Sequence, residues 1–305
     1  MTEKDMLTTR DVARYLNIHE KQVYLLIKAR RIPATKITGK WLFPKRLIEE
    51  WIVEHSRGAL EGVPAVSPSP DQLTIAGSHD LALELLVKRA GLQYPDYTFF
   101  LSSVGSWGGL VALQNLRAQV AAVHLLDPDT GEYNLPFIHA HLPKRKLVGV
   151  HLTGRTQGLF VRKGNPKGIR GLEDLKKPGI HFLNRQEGSG TRILLDSLLR
   201  RAKVSPPSIR GYDTVATTHM EVALSILGGG ADAGLGIASA ARAFQLDFIP
   251  LMEERFDLLI AGEAWPTKPV QALAGILKSK DFREAVTQLG GYDVRETGRV
   301  FYEKG

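Results

Sequence analysis

The stretch IHFLNRQEGSGTR, residues 180–192, decides how the larger part of the chain is read. Ile180 to Leu183 is a short apolar run of the kind that forms a buried strand. Thr191 to Ala202 carries apolar residues at helical spacing. Between them, Gly188-Ser189-Gly190-Thr191-Arg192 opens the helix. A helix N-terminus presents unpaired N–H groups and the positive end of the helix dipole, and glycine lets a ligand approach the backbone. A strand-to-helix junction of this composition favours an anion.

Two further junctions repeat the pattern. Gly77-Ser78-His79-Asp80 follows an expected strand at Leu73 to Gly77 and opens a helix from Asp80 to Ala90, closed by Gly91. Ser102-Ser103-Val104-Gly105-Ser106 follows Tyr97 to Leu101 and opens a helix from Trp107 to Arg117. Further strands are expected at Val120–His124, Leu147–Leu152, Leu159–Arg162, Ala231–Leu235, Phe248–Leu251 and Asp257–Ala261. Helices are expected at Glu221–Leu227, Pro269–Lys278 and Phe282–Gln288. Strands alternating with helices predict an α/β fold with parallel sheets, and ligands of such sheets sit beyond the carboxyl ends of the strands.

Composition narrows the function classes. A length of 305 residues sets a prior of two domains. Hydrophobic residues at 43% and charged residues at 24% are those of a folded globular protein. No run reaches the roughly 20 apolar residues of a membrane span. The absence of cysteine excludes a disulfide framework, a thiolate metal site and a cysteine nucleophile. The stock catalytic motifs are absent too. Gly228-Gly229-Gly230 lacks the lysine of a phosphate-binding loop, and neither GxSxG nor HExxH occurs. Ser78-His79-Asp80 are adjacent and cannot generally form a nucleophile–base–carboxylate chain. His139 and His141, two apart, would suit a strand but have no third metal ligand nearby, so no metal site is expected. His124 and His219 read as satisfied polar residues. An enzyme would have to draw its acid or base from Asp80, Asp127, His124 or His219, and the chain reads as a non-enzyme.

The net charge of +8 is unevenly placed, with +5 on residues 1–60. Lys21, Lys28, Arg30, Arg31, Lys36, Lys40, Lys45 and Arg46 face Glu20 alone in the stretch 20–46. Thr8-Thr9-Arg10-Asp11 offers a capping pattern for a short helix carrying Val12, Ala13, Tyr15 and Leu16, which Asn17 stops. A second helix is expected from His19 to Ala29, burying Val23, Leu26 and Ile27 and exposing Lys21, Gln22, Tyr24 and Lys28. This is the helix-turn-helix pattern. A hairpin follows around Thr38-Gly39, and Pro44 suits the first turn of a third helix with Leu47, Ile48, Trp51 and Ile52 inward. Residues 55–71, HSRGALEGVPAVSPSPD, have linker composition. The expected domains are 1–55, a linker at 56–71, and 72–305. The opening MTEKDML has no apolar signal segment, which points to the cytoplasm.

Residues 6–55 resemble the winged helix-turn-helix of the excisionase/MerR type, through Leu7-Thr8-Thr9, Val12-Ala13-Arg14-Tyr15-Leu16, Val23-Tyr24, Ile32-Pro33, Gly39-Lys40-Trp41-Leu42-Phe43-Pro44 and Trp51. The resemblance implies double-stranded DNA as partner, with the second helix in the major groove. Lys21, Gln22 and Tyr24 are then candidate readers, Lys28, Arg31, Lys36 and Lys40 are phosphate contacts, and Trp41 packs the wing.

Residues 73–305 are similar to PBP-like domains related to periplasmic molybdate- and tungstate-binding proteins. The similarity is carried by Gly77-Ser78-His79-Asp80, Val123 to Pro128, Arg155 to Leu159, Gly164-Asn165-Pro166, Asn184 to Arg192, Thr218-His219, Ala231 to Gly236 and Leu246-Asp247-Phe248. It implies a two-lobed type II periplasmic-binding-protein fold, with one lobe of about 73–155 and 240–305, the other of about 156–239. It implies a small oxyanion, molybdate or tungstate, in the cleft. Candidate contacts are Ser78, His79, Ser103, Ser106, Ser189, Gly190, Thr191 and Arg192, with Arg155 and Thr218 as additions. The two resemblances together predict a one-component transcription regulator, a homodimer or higher symmetric oligomer, with no cofactor and no membrane partner. An organic ligand such as a molybdopterin precursor is the alternative. A second alternative is an enzyme or accessory protein of molybdenum-cofactor biosynthesis.

Overall fold

The computed structural model describes residues 6–15, 20–28, 32–37, 39–45, 47–48 and 69–304. The chain divides into two compact units, Met1–Ala65 and Val66–Gly305.

In the first unit, Thr8 and Asp11 cap helix α1 (Thr9–Tyr15) reciprocally. The Asp11 N–H donates to Thr8 Oγ1 at 3.2 Å and the Thr8 N–H to Asp11 Oδ2 at 3.0 Å. Helix α2 (Glu20–Lys28) buries Val23 and exposes Tyr24 and Lys28. Strands β2 (Thr35–Ile37) and β3 (Lys40–Pro44) form the expected hairpin. A third strand, β1 (Met6–Thr8), pairs with Leu42–Pro44 and gives the order β1-β3-β2. Pro44 therefore ends a strand, because its carbonyl side still pairs while its missing N–H costs nothing at the strand end. Of the expected third helix, Ile48 is buried and Leu47 is 42% exposed, so Leu47 does not point inward. Trp51, Ile52 and linker residues 56–68 lie outside the described residues. Val12, Ala13, Val23, Ile32, Phe43 and Ile48 form this unit's core, with Trp41 packed against it.

The second unit is built on one ten-stranded sheet, on whose main path β4 to β11 follow the order β5-β4-β6-β11-β7-β10-β8-β9. These are β4 (Gln72–Gly77), β5 (Thr98–Ser103), β6 (Val120–Val123), β7 (Leu147–Val161), β8 (Phe182–Arg185), β9 (Val215–Ala216), β10 (Ala233–Ile237) and β11 (Asp247–Ala261). β4 pairs parallel with β5 and β6, and β8 parallel with β10 and β9. Between these groups the sheet is antiparallel, which corrects the expectation of parallel sheets throughout. β7 and β11, 15 residues each, pair from Leu147↔Ala261 to Val161↔Asp247. Four short strands were expected here, because Arg155-Thr156-Gln157-Gly158 and Glu253-Glu254-Arg255 interrupt the apolar pattern. They stay in strand because Arg155 and Gln157 both donate to Glu254 inside the protein. The other edge of β7 is covered in turn by β10, β12 (Tyr292–Asp293) and β13 (Val300–Lys304).

Helix α3 (Leu81–Gln93) runs through Gly91, whose Cα faces open space, and is not closed there. Helix α4 is Gly105–Gln114, and α5 (Leu135–His141) holds His139 and His141 on a helix and not a strand. The remaining helices are α6 (Gly190–Arg201), α7 (His219–Leu227), α8 (Ala238–Ala243), α9 (Lys268–Lys278) and α10 (Lys280–Leu289). The apolar interior falls into one large cluster around Leu83, Leu113, Val123, Leu259 and Phe282, two smaller ones around Phe182 with Leu195 and Phe160 with Ile226, and a small one of Ala76, Ala112 and Ala118. The long strands β7 and β11 run from the first to the others. Among the described residues, no helix is long and apolar enough to cross a membrane.

Candidate functional site

The three junction loops converge. Each lies beyond the carboxyl end of a strand, so the sheet order sets their neighbours. Trp107, in the first turn of α4, donates its N–H to the Gly188 carbonyl at 3.3 Å. Gly190, the first residue of α6, lies against His124. A Cβ at position 190 would sit 2.5 Å from the His124 carbonyl oxygen, so only glycine permits this approach.

A buried chain of polar groups starts here. Ser78 Oγ and Ser106 Oγ lie 2.9 Å apart. Ser78 Oγ is 3.0 Å from His124 Nε2, and His124 Nδ1 is 3.0 Å from Glu254 Oε2. Arg155 donates Nε to Glu254 Oε1 and Nη1 to Asp80 Oδ2, both at 2.6 Å. Tyr292 donates to the same Asp80 oxygen, whose partner oxygen caps α3. Gln157 Nε2 donates to Glu254 Oε1 and to Thr191 Oγ1. Burial works to raise the Glu254 pKa, but the charges of His124 and Arg155, with hydrogen bonds from His124 and Gln157, outweigh it and hold the pKa at about 2. Burial lowers the His124 pKa, with Arg155 and Arg185 adding to it against the pull of Glu254. The order serine–imidazole–carboxylate is that of a hydrolase, but Ser78 is 4% exposed and its oxygen already meets Ser106 and His124. It is a relay enclosed in the protein.

Arg185 is the charge that the sequence reading passed over. It ends β8 at 2% exposure, and among the described residues no carboxylate lies within salt-bridge distance of it. Its Nη1 donates to His219 Nδ1 at 2.9 Å and its Nη2 to the Thr217 carbonyl at 2.7 Å. Burial and the Arg155 charge lower its pKa to about 10. Glu221 and Glu254 act on it only from a distance, so this buried cation keeps a free-energy cost that an anion bound against it would offset. His219, buried and lowered well below the ordinary value by burial and by Arg185, stays neutral beside it. Two other buried atoms near the relay lack partners, Arg155 Nη2 and Gln157 Oε1.

The sequence candidates divide accordingly. Ser78, Ser106, Arg155, Gly190 and Thr191 belong to the relay or touch it. Arg155 is already paired with two carboxylates. His79 bonds Glu84 through Nε2 at 2.9 Å, and its buried Nδ1 has no partner. Ser103 is exposed at the end of β5 and is not part of the cluster. Ser189 caps α6, accepting from the Arg192 N–H and donating to the Gln186 carbonyl. Thr218 likewise caps α7, accepting from the Glu221 N–H. Arg192 turns along its own helix to Asp196 and stacks over Tyr212 at 4.2 Å. Glu254 was missed because it sits in mid-strand among charges. The signal available for Arg185 was its place two residues past the expected strand Ile180–Leu183, just before the third junction.

In the first unit, Tyr24 is 50% exposed, and Lys28, Lys36 and Lys40 are exposed. Lys36 Nζ lies 5.7 Å from the Trp41 ring centroid. The Lys21 and Gln22 side chains and all of Arg31 lie outside the described residues.

A mixed α/β unit with this site, preceded by a helix-turn-helix, defines the class. Residues 88–278 match the PBP superfamily domain and residues 6–56 a helix-turn-helix domain; the chain belongs to the PBP superfamily. Over its whole length it is similar to the uncharacterized protein YvgK of Bacillus subtilis, at 31% identity over 99% of this chain and 100% of that protein. Among solved structures it resembles the tungstate ABC transporter from Geobacter sulfurreducens, with a TM-score of 0.54 at 14% identity, covering 72% of this chain and 99% of that one. A putative phosphate ABC transporter substrate-binding protein with bound phosphate from Clostridium perfringens also has a TM-score of 0.54. It is 11% identical, covering 73% and 98%. These two likenesses show the fold, that of type II periplasmic binding proteins. A helix-turn-helix domain joined to a PBP-like domain is an architecture consistent with a non-enzymatic one-component regulator.

Proposed function

We propose that the protein is a cytoplasmic transcription regulator whose second unit takes a small oxyanion, molybdate or tungstate, where the junction loops meet. The observation that carries this reading is Arg185, a buried guanidinium that makes no ion pair among the described residues and is bonded to His219 at the N-terminus of α7. Ser106, Gly190, Thr191 and His219 supply the surrounding N–H and hydroxyl groups. The lobes, about 73–155 with 240–305 and about 156–239, close on the anion. Closure favours one arrangement of DNA-binding heads in a homodimer, because a ligand shifts an equilibrium only through its differential affinity. Lys28, Lys36 and Lys40, with Lys21, Gln22, Tyr24 and Arg31, face the DNA.

Isothermal titration with molybdate, tungstate, sulfate and phosphate tests this directly. Binding of at least one of them, competing with the others at a single site, is the expected result. If none binds to the full-length protein, the oxyanion reading is wrong.

A further inference from the structure

The hydrogen-bond polarity of the relay says more about that site, and this inference rests on reading it as an anion site. Glu254 is ionised and held by Arg155 and Gln157. His124 Nδ1 must therefore carry the hydrogen that binds it, which leaves Nε2 an acceptor. Ser78 then gives its hydroxyl proton to His124 Nε2, and Ser106 gives its own to Ser78 Oγ. The Ser106 oxygen meanwhile accepts from the His124 backbone N–H at 3.1 Å. Both hydroxyl protons are thus committed within the protein. Toward a ligand, Ser78 and Ser106 present lone pairs, the wrong polarity for an anion.

A proton on His124 Nε2 reverses the chain. Nε2–H donates to Ser78 Oγ, Ser78 donates to Ser106 Oγ, and the Ser106 proton is freed to donate outward. We propose that an anion binds at the junction loops together with one proton, held on His124, which turns the Ser78–Ser106 pair from acceptor to donor.

The charged and titratable groups around His124 fit this exchange. Glu254 faces it from β11 and favours the imidazolium, while Arg155 from β7 and Arg185 from β8 oppose it. His219, from the start of α7, is close enough to interact with it and is itself neutral. An anion beside Arg185 cancels that cation's opposition, so occupancy and protonation support each other. The ligand class is an anion whose oxygens only accept hydrogen bonds, as those of sulfate, molybdate and tungstate do near neutral pH.

Titration calorimetry on the full-length protein, in buffers of different ionisation enthalpy, counts protons taken up per anion. With molybdate or sulfate we expect an uptake approaching one, and affinity tightening by up to about tenfold for each unit the pH falls between 8 and 6. The His124→Asn variant should bind more weakly and without proton uptake. Should that variant not fold, ¹⁵N imidazole shifts of the unaltered protein give the answer, with Nε2 bare when free and protonated at saturating molybdate. Anion binding with no proton uptake overturns this inference and leaves the anion reading standing. So does uptake with phosphate alone, which would place the proton on the ligand. If no anion binds at any pH, both readings fall.

Discussion

Arg185 carries a full charge into a place with no carboxylate beside it, and its replacement separates binding from stability. Arg185→Gln should lower oxyanion affinity at least about 30-fold, since removing one partner of a buried charge pair costs about 2–5 kcal/mol. The same change should leave the melting temperature of the anion-free protein unchanged or raised, because it removes a buried charge that Glu221 and Glu254 compensate only from a distance. Calorimetry and thermal melts read the two effects separately. Loss of stability with anion affinity retained would make Arg185 a structural residue.

His124 and His219 make a second prediction at this scale. Their pKa values are lowered in the folded protein, below the ordinary 6.5. The unfolded chain therefore binds protons first as pH falls. Their contribution to stability is complete above pH 6.5 and is lost below it, at up to about 1.4 kcal/mol per pH unit for each. Glu254 adds a further loss as pH falls from 4.5 toward about 2. Urea unfolding of the second unit should show midpoints dropping between pH 7 and 5; a flat profile would contradict the neutral assignment. These residues show what the sequence hides. Ser78, Ser106 and Thr191 could be picked out because glycine and hydroxyls cluster at junctions. Whether a hydroxyl caps a helix, as Ser189 and Thr218 do, or joins a cluster depends on neighbours brought by distant strands.

Elements were legible where their periodicity is local. Helix α6 was expected at Thr191–Ala202 and occupies Gly190–Arg201. The long ribbon was not, because Arg155 and Glu254 look like loop residues until they are seen bonded to each other 99 positions apart. Small strands such as β1 and β12 left no pattern, since two or three residues hold no period. The meeting of α6 with the end of β6 rests on Gly190. Gly190→Ala places a methyl against the His124 carbonyl and should cost about 1–3 kcal/mol, as overpacking does. It should weaken oxyanion binding as well, because the same displacement separates the helix N-terminus from the relay. Denaturant unfolding and titration on the variant check both; an alanine accepted at no cost in either would refute the contact.

At the scale of the whole molecule, the charge and the site divide between the two units. The +8 that distinguishes the composition lies mostly in the first 60 residues, so DNA affinity should be salt-dependent. Lys28→Ala and Lys40→Ala should each reduce the slope of log K against log salt by about 0.9 if both meet phosphates. Fluorescence anisotropy on operator DNA measures this, and unchanged slopes would move the interface elsewhere. Two resolvable states of the DNA complex, with and without molybdate, are expected from the regulator reading.

The placing of β11 between β6 and β7 bears on how the chain is made. Its neighbours in the sheet, β7 and β6, begin 100 and 127 residues before it. The edge of β7 is finished only by β12 and β13, within the last 14 residues. The sheet therefore cannot close before residue 304 has left the ribosome, whereas the described core of the helix-turn-helix lies within residues 12–48. A premature stop anywhere in between should yield the helix-turn-helix joined to a sheet that cannot close.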